Sequence, residues 1–293
     1  MRRVPSVESP LLAVDAPSLL YRGFYALPSS ITDGKGRPVN ALLGCTNQVL
    51  WAIEKYAPRA VVFCFGAEAA VYRVELFAGY HADRPEMPGE LEPQWRASRE
   101  FFEAFGWVVT EHDTLEADDL LGSYATTETE AGGDTVLFTG DRDMFQCVND
   151  HVAVLFPGGK DGPTLIDEAG VRERYGIAPE QVPDFIALRG DPSDGIPGAK
   201  GIGEKTAREI LRVHGTLEAA IAGADKESPR VARTLKDMDV QLREFKEMAT
   251  LVHVPVDRPA SVPTDFGAGA EAAEARGMGR LAARLRDLDG SSG

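Results

Sequence analysis

The stretch TVLFTGDRD, residues 135–143, decides how the chain reads: a short apolar and β-branched run fits a buried strand, and Asp141 and Asp143 follow its carboxyl end. Working outward, LLAVDA (11–16), AVVFCF (60–65), WVVT (107–110) and VAVLF (152–156) are runs of the same kind. Amphipathic stretches separate them. Over 40–57, Leu42, Leu43, Val49, Leu50 and Ile53 share one stripe at helical spacing until Pro58 ends it, and a second helix is expected over about 115–131, stopped by Gly132 and Gly133. Short strands alternating with helices predict an α/β fold with a mostly parallel sheet flanked by helices. Beyond Asp184 the strand signals cease. Residues 1–184 therefore read as one domain, 185–256 as a second, helical module, and 257–293 as a peripheral Ala/Gly-rich tail with a short helix near 280–288 and a Gly-Ser end.

The chain carries 31 basic and 46 acidic residues, a net charge of −15, which argues against a surface that coats nucleic acid throughout while leaving room for a local basic site. Residues 1–150 hold twelve basic and twenty-three acidic residues, whereas 189–250 holds eleven of each. The longest apolar run, AVVFCFGA at 60–67, is far short of the ~20 residues of a membrane span. Asp15 interrupts LLAV before it could serve as a secretory signal after Arg2 and Arg3, so a cytoplasmic location is expected. Cys45, Cys64 and Cys147 are odd in number and set among apolar neighbours, which suits reduced core thiols.

Ligands of open parallel sheets gather beyond the carboxyl ends of the strands, and the acidic residues fall there. Asp15 follows LLAV; Glu116, Asp118 and Asp119 open the helix of LEADDLLG; Asp141 and Asp143 close TGDRD; Asp191 and Asp194 stand in RGDPSDGIPG. Any one of these could be a turn or a helix cap. Carboxylates gathered without a counter-ion raise one another's pKa, so four such groups together predict bound divalent cations, and all-oxygen ligation favours Mg²⁺ or Mn²⁺ over zinc.

The segment GIPGAKGIGEKTA, 195–207, predicts a tight turn at Gly198, Gly201 and Gly203 that leads into a helix, with Lys200, Lys205 and Arg208 adding charge, an anion-binding hairpin suited to a DNA phosphate. It nearly fits a nucleotide P-loop. Glu204 intervenes before the lysine, however, and no apolar strand precedes the loop; a purely structural glycine turn stays open.

LLAVDAPSLLYRGFYALP, YHADRPEMP, LEADDLLG, TGDRD and LRGDPSDGIPGAKGIGEKTA together resemble, in order and spacing, the flap endonuclease and 5′-3′ exonuclease family, which includes the 5′ nuclease domain of bacterial DNA polymerase I. The resemblance covers about residues 10–255 and is to the free-standing form. It implies a PIN-like α/β domain with two or three divalent ions and a helix-three-turn-helix module that grips duplex DNA, with a potassium ion at the hairpin. By that resemblance Asp15, Glu116, Asp118 and Asp119 form a first metal cluster, and Asp141, Asp143, Asp191 and Asp194 a second. Arg73, His81 and Arg84 would act at the scissile phosphate; Arg22, Tyr80, Lys200, Gly201, Gly203, Lys205 and Arg208 would contact DNA. Segment 68–100 resembles the arch that admits an unpaired 5′ end, with Arg96 and Arg99 equally readable as a solvated helix face. The implied activity is two-metal phosphodiester hydrolysis on DNA with a free 5′ end, flap or nick, in replication and repair, by a monomer working beside polymerase and ligase.

Two positions depart from the family pattern. Gly66 stands where the family has a metal-ligating Asp, with Glu68 two residues on, and His81 stands where a Lys is usual, with Asp83 replacing an amide residue. A weakened relative that binds branched DNA without efficient cutting is therefore the alternative, and a PIN-domain ribonuclease a third reading.

Overall fold

The computed structural model describes residues 9–158 and 162–290; Arg2, Arg3 and the Gly-Ser end beyond Gly290 lie outside the described residues. Six strands form one sheet: β1 (Leu11–Asp15), β2 (Ala60–Gly66), β3 (Val108–His112), β4 (Thr135–Phe138), β5 (Val152–Phe156) and β6 (Thr164–Ile166). The order is β3-β2-β1-β4-β5-β6, parallel except for β6, which pairs antiparallel with β5 and had no signal in the sequence.

Side chains alternate across the sheet as a period of two demands. Leu11, Ala13, Val62, Cys64 and Leu137 enter one core; Leu12, Val14, Val61, Phe63, Val136 and Phe138 enter the other. Burial on both faces explains why these strands read as continuous apolar runs.

The first half carries α1 (Ala16–Ala26), α2 (Asn40–Tyr56), α3 (Val71–Leu76), α4 (Glu92–Glu103) and α5 (Ala117–Glu130). Asp15 caps α1 by accepting the Ser18 N–H at 3.0 Å, so the last residue of β1 is also the first turn's anchor. Helices α6 (Glu168–Tyr175), α7 (Val182–Arg189), α8 (Glu204–His214), α9 (Leu217–Ala222), α10 (Pro229–Asp237) and α11 (Asp239–Ala249) follow. Their apolar faces, among them Phe185, Ile210, Leu211, Leu235 and Phe245, join the core that contains α5.

The expected peripheral tail is corrected by the structure. Residues 251–264 run back over the first half without regular structure and lead to α12 (Phe266–Ala275) and α13 (Gly279–Gly290). Ala270, Ala273, Met278, Leu281, Ala282 and Leu285 are buried in the second core beside Phe101 and Phe105. Small residues permit this close approach: a Cβ at Gly269 would lie 2.5 Å from the Phe105 ring. Low side-chain volume, which mimicked a loose tail in the sequence, is what lets the helix seat. The return path is fastened by Arg59, which donates to the Pro259 carbonyl at 2.6 Å, and by Trp107, whose indole N–H donates to Thr264 Oγ1 at 3.0 Å.

Candidate metal centre and nucleic-acid cleft

The carboxyl ends of β1, β2 and β4, the start of α5 and the loop after α7 surround an open cleft of about 1180 Å³. Asp15, Glu116, Asp118, Asp141, Asp143, Asp191 and Asp194 line it, together with Glu68, His81 and Arg84. Seven of the eight carboxylates singled out in the sequence thus meet at one place. Asp119 does not. It is fully buried, and its Oδ1 accepts the Val252 N–H at 2.9 Å and Arg73 Nη2 at 3.1 Å while Oδ2 accepts the Glu116 N–H at 3.3 Å. With both oxygens engaged by the protein, Asp119 anchors the 251–253 segment to α5 instead of facing the cleft.

Arg73 is likewise repositioned. It is 2% exposed, and its guanidinium pairs with Glu116 and Asp119 while Nε donates to the Met248 carbonyl at 2.9 Å. Asp118 lies 3.8 Å away. Arg73 therefore stands behind the carboxylates, outside the residues that line the cleft, so the expectation that it reaches the scissile phosphate is corrected to a positioning role. Tyr80 is only 5% exposed; its hydroxyl donates to Glu116 Oε2 at 2.8 Å, and its ring stacks on His81 at 4.1 Å between centroids. Tyr80, expected to contact DNA, is thus buried between Glu116 and His81. Ala70 completes the set by donating its N–H to Glu116 Oε1 at 2.8 Å.

Within the second group, Asp141 and Asp143 lack such a backing. Asp141 Oδ1 accepts the Asp143 N–H at 2.8 Å, yet burial and the Asp194, Asp15 and Asp191 charges push its carboxyl up to about 7. Burial, with Asp141, Asp194 and Asp191 nearby, raises Asp143 well above the usual carboxylate range. Asp118 is raised by burial too, Arg73 opposing and Glu116 and Asp141 adding to the shift. Asp15 is raised by burial against hydrogen bonds from Thr139 Oγ1, at 2.6 Å, and Ser18. Asp191 is held by the Ser193 N–H at 2.9 Å and Arg189 Nη2 at 2.8 Å.

Among the described residues, no three His, Cys, Asp or Glu side chains converge into ligand geometry for one ion; they line a broad cleft. The donor set nevertheless fits hard divalent cations: all oxygen, mutually repelling, and open to solvent on one side.

His81 bridges the arch segment to the loop after α7. Its Nε2 lies 3.2 Å from Asp194 Oδ1, and its backbone adopts φ 51°, a left-handed conformation rare for a side-chain-bearing residue. Burial works against a charged imidazole, but the Asp194 hydrogen bond and the Glu116 carboxylate outweigh it and raise His81 above its ordinary value. Arg84 Nη1 donates to the Glu68 carbonyl at 2.8 Å and remains exposed in the cleft wall.

Gly66 has a packing reason. A Cβ there would lie 2.5 Å from the Glu116 carbonyl carbon, 2.5 Å from the Leu115 oxygen and 2.6 Å from the Ala117 nitrogen. The glycine lets the start of α5 press against the end of β2, and a carboxylate at 66 would displace the segment that carries Glu116. Glu68 is exposed and lines the cleft.

Of the residues expected to contact DNA outside the cleft, Arg22 donates to the Gly158 carbonyl on the surface. Lys200, Gly201, Gly203 and Lys205 are exposed around the turn into α8. Arg208 instead pairs with Glu204 at 2.6 Å and packs against Gly176. The two hairpin carbonyls next to Lys200 are already engaged: Lys200 O accepts from Thr234 Oγ1 at 3.3 Å, and Gly201 O from Arg230 Nη2. The sequence reading missed Arg142 and Arg189 in the cleft wall and Thr139 beneath Asp15. Arg142 sits inside the quoted TGDRD, so its place beside two strand-end carboxylates was the available signal.

Two family models match the chain, one described as the 5′-3′ exonuclease N-terminal resolvase-like domain over residues 10–176, the other as the 5′-3′ exonuclease C-terminal SAM fold over 177–264. The 5′-3′ exonuclease of Mycobacterium tuberculosis is 36% identical over 283 residues, covering 88% of either chain. DNA polymerase I of Chloroflexus aurantiacus is 38% identical over 254 residues, which are 84% of this chain and 27% of the polymerase, so the chain spans just over a quarter of that relative. Among solved structures, T5 5′-exonuclease with bound zinc superposes with a TM-score of 0.67 at 18% identity, covering 94% of this chain and 98% of that one. The catalytic core of Rad2 with DNA substrate gives 0.63 at 15% identity over 96% and 95%. At such identities these two structures speak to the fold.

Proposed function

The chain belongs to the 5′-3′ exonuclease family, and from that premise we propose that it is a metal-dependent, structure-specific 5′ nuclease that hydrolyses DNA phosphodiester bonds at flaps, nicks or free 5′ ends. The observation that carries the reading is the gathering of Asp118, Asp141 and Asp143, raised by burial and then by neighbouring carboxylates, in one open cleft. Asp15, Asp118, Asp141, Asp143, Asp191 and Asp194, with Glu116 at the rim, would hold two or three Mg²⁺ or Mn²⁺ ions. Such ions, when bound, lower the pKa of water and neutralise charge on the phosphoryl oxygens.

The remaining work falls to the chain. Arg84 and Arg142 supply permanent positive charge to a phosphate entering between the acidic walls, and His81 adds a conditional one. Arg73, Tyr80 and the Ala70 N–H fix the Glu116 carboxylate, so that it does not swing when charge enters the cleft. Arg189 performs the same service for Asp191. Lys200, Lys205 and the glycine turn would hold the duplex by its backbone, reading shape without base sequence. The division at 184/185 into a nuclease domain and a duplex-gripping module, monomeric action beside polymerase and ligase, and a cytoplasmic site of work belong to the same proposal. No helix of the described residues is long and apolar enough to cross a membrane. A potassium ion at the hairpin belongs to the same proposal; there Lys200 O accepts from Thr234 Oγ1 and Gly201 O from Arg230 Nη2.

Gly66 favours a second reading, a relative that binds branched DNA and cuts it slowly, since one carboxylate fewer stands at the cleft. Cleavage of a 5′-labelled flap duplex, with Mg²⁺ or Mn²⁺ and with chelator, tests both. Metal-dependent cutting at the branch supports the nuclease; tight binding with no cutting supports the weakened form.

A further inference from the structure

Two arginines stand on carboxylates of the cleft, and they differ in what surrounds them. Arg73 is closed in behind Glu116 and Asp119. Arg189, the last residue of α7, lines the cleft itself and keeps 23% of its side chain in solvent. Its guanidinium is held at three points: Nη2 donates to Asp191 Oδ2 at 2.8 Å, Nε donates to the Gly190 carbonyl at 2.9 Å, and Cζ lies 5.3 Å from the centre of the Phe185 ring. Asp191 is also held from its other side. Its Oδ1 accepts from the Ser193 N–H at 2.9 Å and from Ser193 Oγ, and its backbone exchanges two hydrogen bonds of 2.8 Å with Ile196. The carboxylate therefore keeps its place by contacts that do not involve Arg189.

The Asp191 charge is felt by both Asp141 and Asp143, so these groups share one side of the cleft. A divalent ion placed among them meets the Arg189 guanidinium as well, and two cations in a partly buried wall repel each other. Arg189 thus neutralises Asp191 while the cleft is free of metal and opposes an ion on that side. A phosphate changes the balance. The guanidinium presents five N–H donors in a planar fork suited to phosphate oxygens, and the two now engaged leave others free. Because the group reaches solvent, it can turn from Asp191 Oδ2 to a phosphate in the same cleft, an exchange that the enclosed Arg73 cannot make.

We propose that Arg189 couples metal loading to DNA: without substrate its guanidinium sits on Asp191 and weakens divalent-ion binding beside it, and a DNA phosphate draws the guanidinium away and frees that carboxylate for the ion. The inference deepens the proposed function and rests on its reading of the cleft as a divalent-metal site that receives DNA.

The test is calorimetric titration of calcium into the chain at fixed ionic strength, with and without a saturating 5′-flap duplex whose integrity is checked on a gel. The wild-type chain should bind calcium about tenfold more tightly when the duplex is present. Arg189→Met, which keeps an unbranched stem over Phe185, should bind calcium about tenfold more tightly than wild type without DNA and gain correspondingly less from the duplex. Arg189→Lys should fall between. Arg174→Met, which removes the same charge outside the residues lining the cleft, should match wild type. An Arg189→Met variant that binds calcium without DNA no more tightly than wild type overturns the inference, as does a gain from DNA as large in the variant as in wild type. Metal-free thermal melts show whether Arg189→Met is folded; if it is not, Arg189→Lys carries the test, and the same two results overturn the inference. A wild-type chain that takes up no calcium with or without DNA brings down the proposed metal site and the inference with it. Calcium and duplex that both bind, each indifferent to the other, overturn the inference alone.

Discussion

The two halves of the acidic cleft solve one electrostatic problem in opposite ways. Around Glu116 and Asp119 the chain supplies its own counter-charge, the buried Arg73, together with the Tyr80 hydroxyl and backbone N–H groups. Around Asp141 and Asp143 no comparable cation is buried among the described residues, and the carboxyls are pushed up instead. The first half is internally neutralised and structural in character; the second is left under repulsion that a divalent ion can relieve. A cluster of carboxylates is thus not uniform ligand density, and its members divide by what stands behind each.

The comparison is broken most sharply by neutralising the second half. Asp143→Asn should cut flap cleavage by about 10³-fold or more while raising the melting temperature of the metal-free protein, because a like charge is removed. Lost activity with lowered stability would mean that Asp143 is structural. The converse holds behind Glu116: Arg73→Met leaves two buried carboxylates without their cation and should cost about 3–5 kcal/mol in denaturant unfolding. A change near zero would show that Glu116 and Asp119 take up protons or water cheaply.

Gly66 sharpens the contrast at a smaller scale. Gly66→Ala should cost about 1–3 kcal/mol, since a Cβ 2.5 Å from the α5 backbone forces that helix start outward. Gly66→Asp should accordingly fail to improve cleavage, and a gain in Mg²⁺-dependent rate would show that the packing yields.

The smallest effects lie in pH. Asp141 is raised from 3.8 to about 7, so its folded form prefers the proton; its contribution to metal-free stability is fully present below 3.8 and is lost as pH rises to about 7. Glu128 runs the other way. Burial raises it, but hydrogen bonds from Arg258 and Arg59 outweigh burial and lower it from 4.5, so its contribution is present above 4.5 and lost as pH falls through the depressed value. Thermal melts across pH with chelator, repeated on Asp141→Asn and Glu128→Gln, should each lose one of these opposing slopes.

The strand-end carboxylates were legible because strands and the turns that follow them are local: four apolar residues and a Gly-Asp place Asp141 without any knowledge of partners. The first-half helices α2 and α5 were legible for the same reason, through periodicity and stop residues. What lay behind the site was not. Arg73 is buried because Met248 and Val252 pass over α3 and α5, a contact across about 175 positions that no window of sequence contains. The same long-range return converts Asp119 from a cleft residue into an anchor and an Ala-rich tail into part of the core.

The central claim, that the Asp141–Asp143 side of the cleft is completed by divalent ions for phosphodiester hydrolysis, is tested most directly by one titration. Mg²⁺ and Mn²⁺ are added to the chain with a 5′-labelled flap duplex, and cutting is read beside Asp141→Ala. Cutting at the branch that rises with metal, vanishes with chelator and is absent from the variant is the predicted result. Cutting that persists in chelator, or survives in Asp141→Ala, would contradict the account.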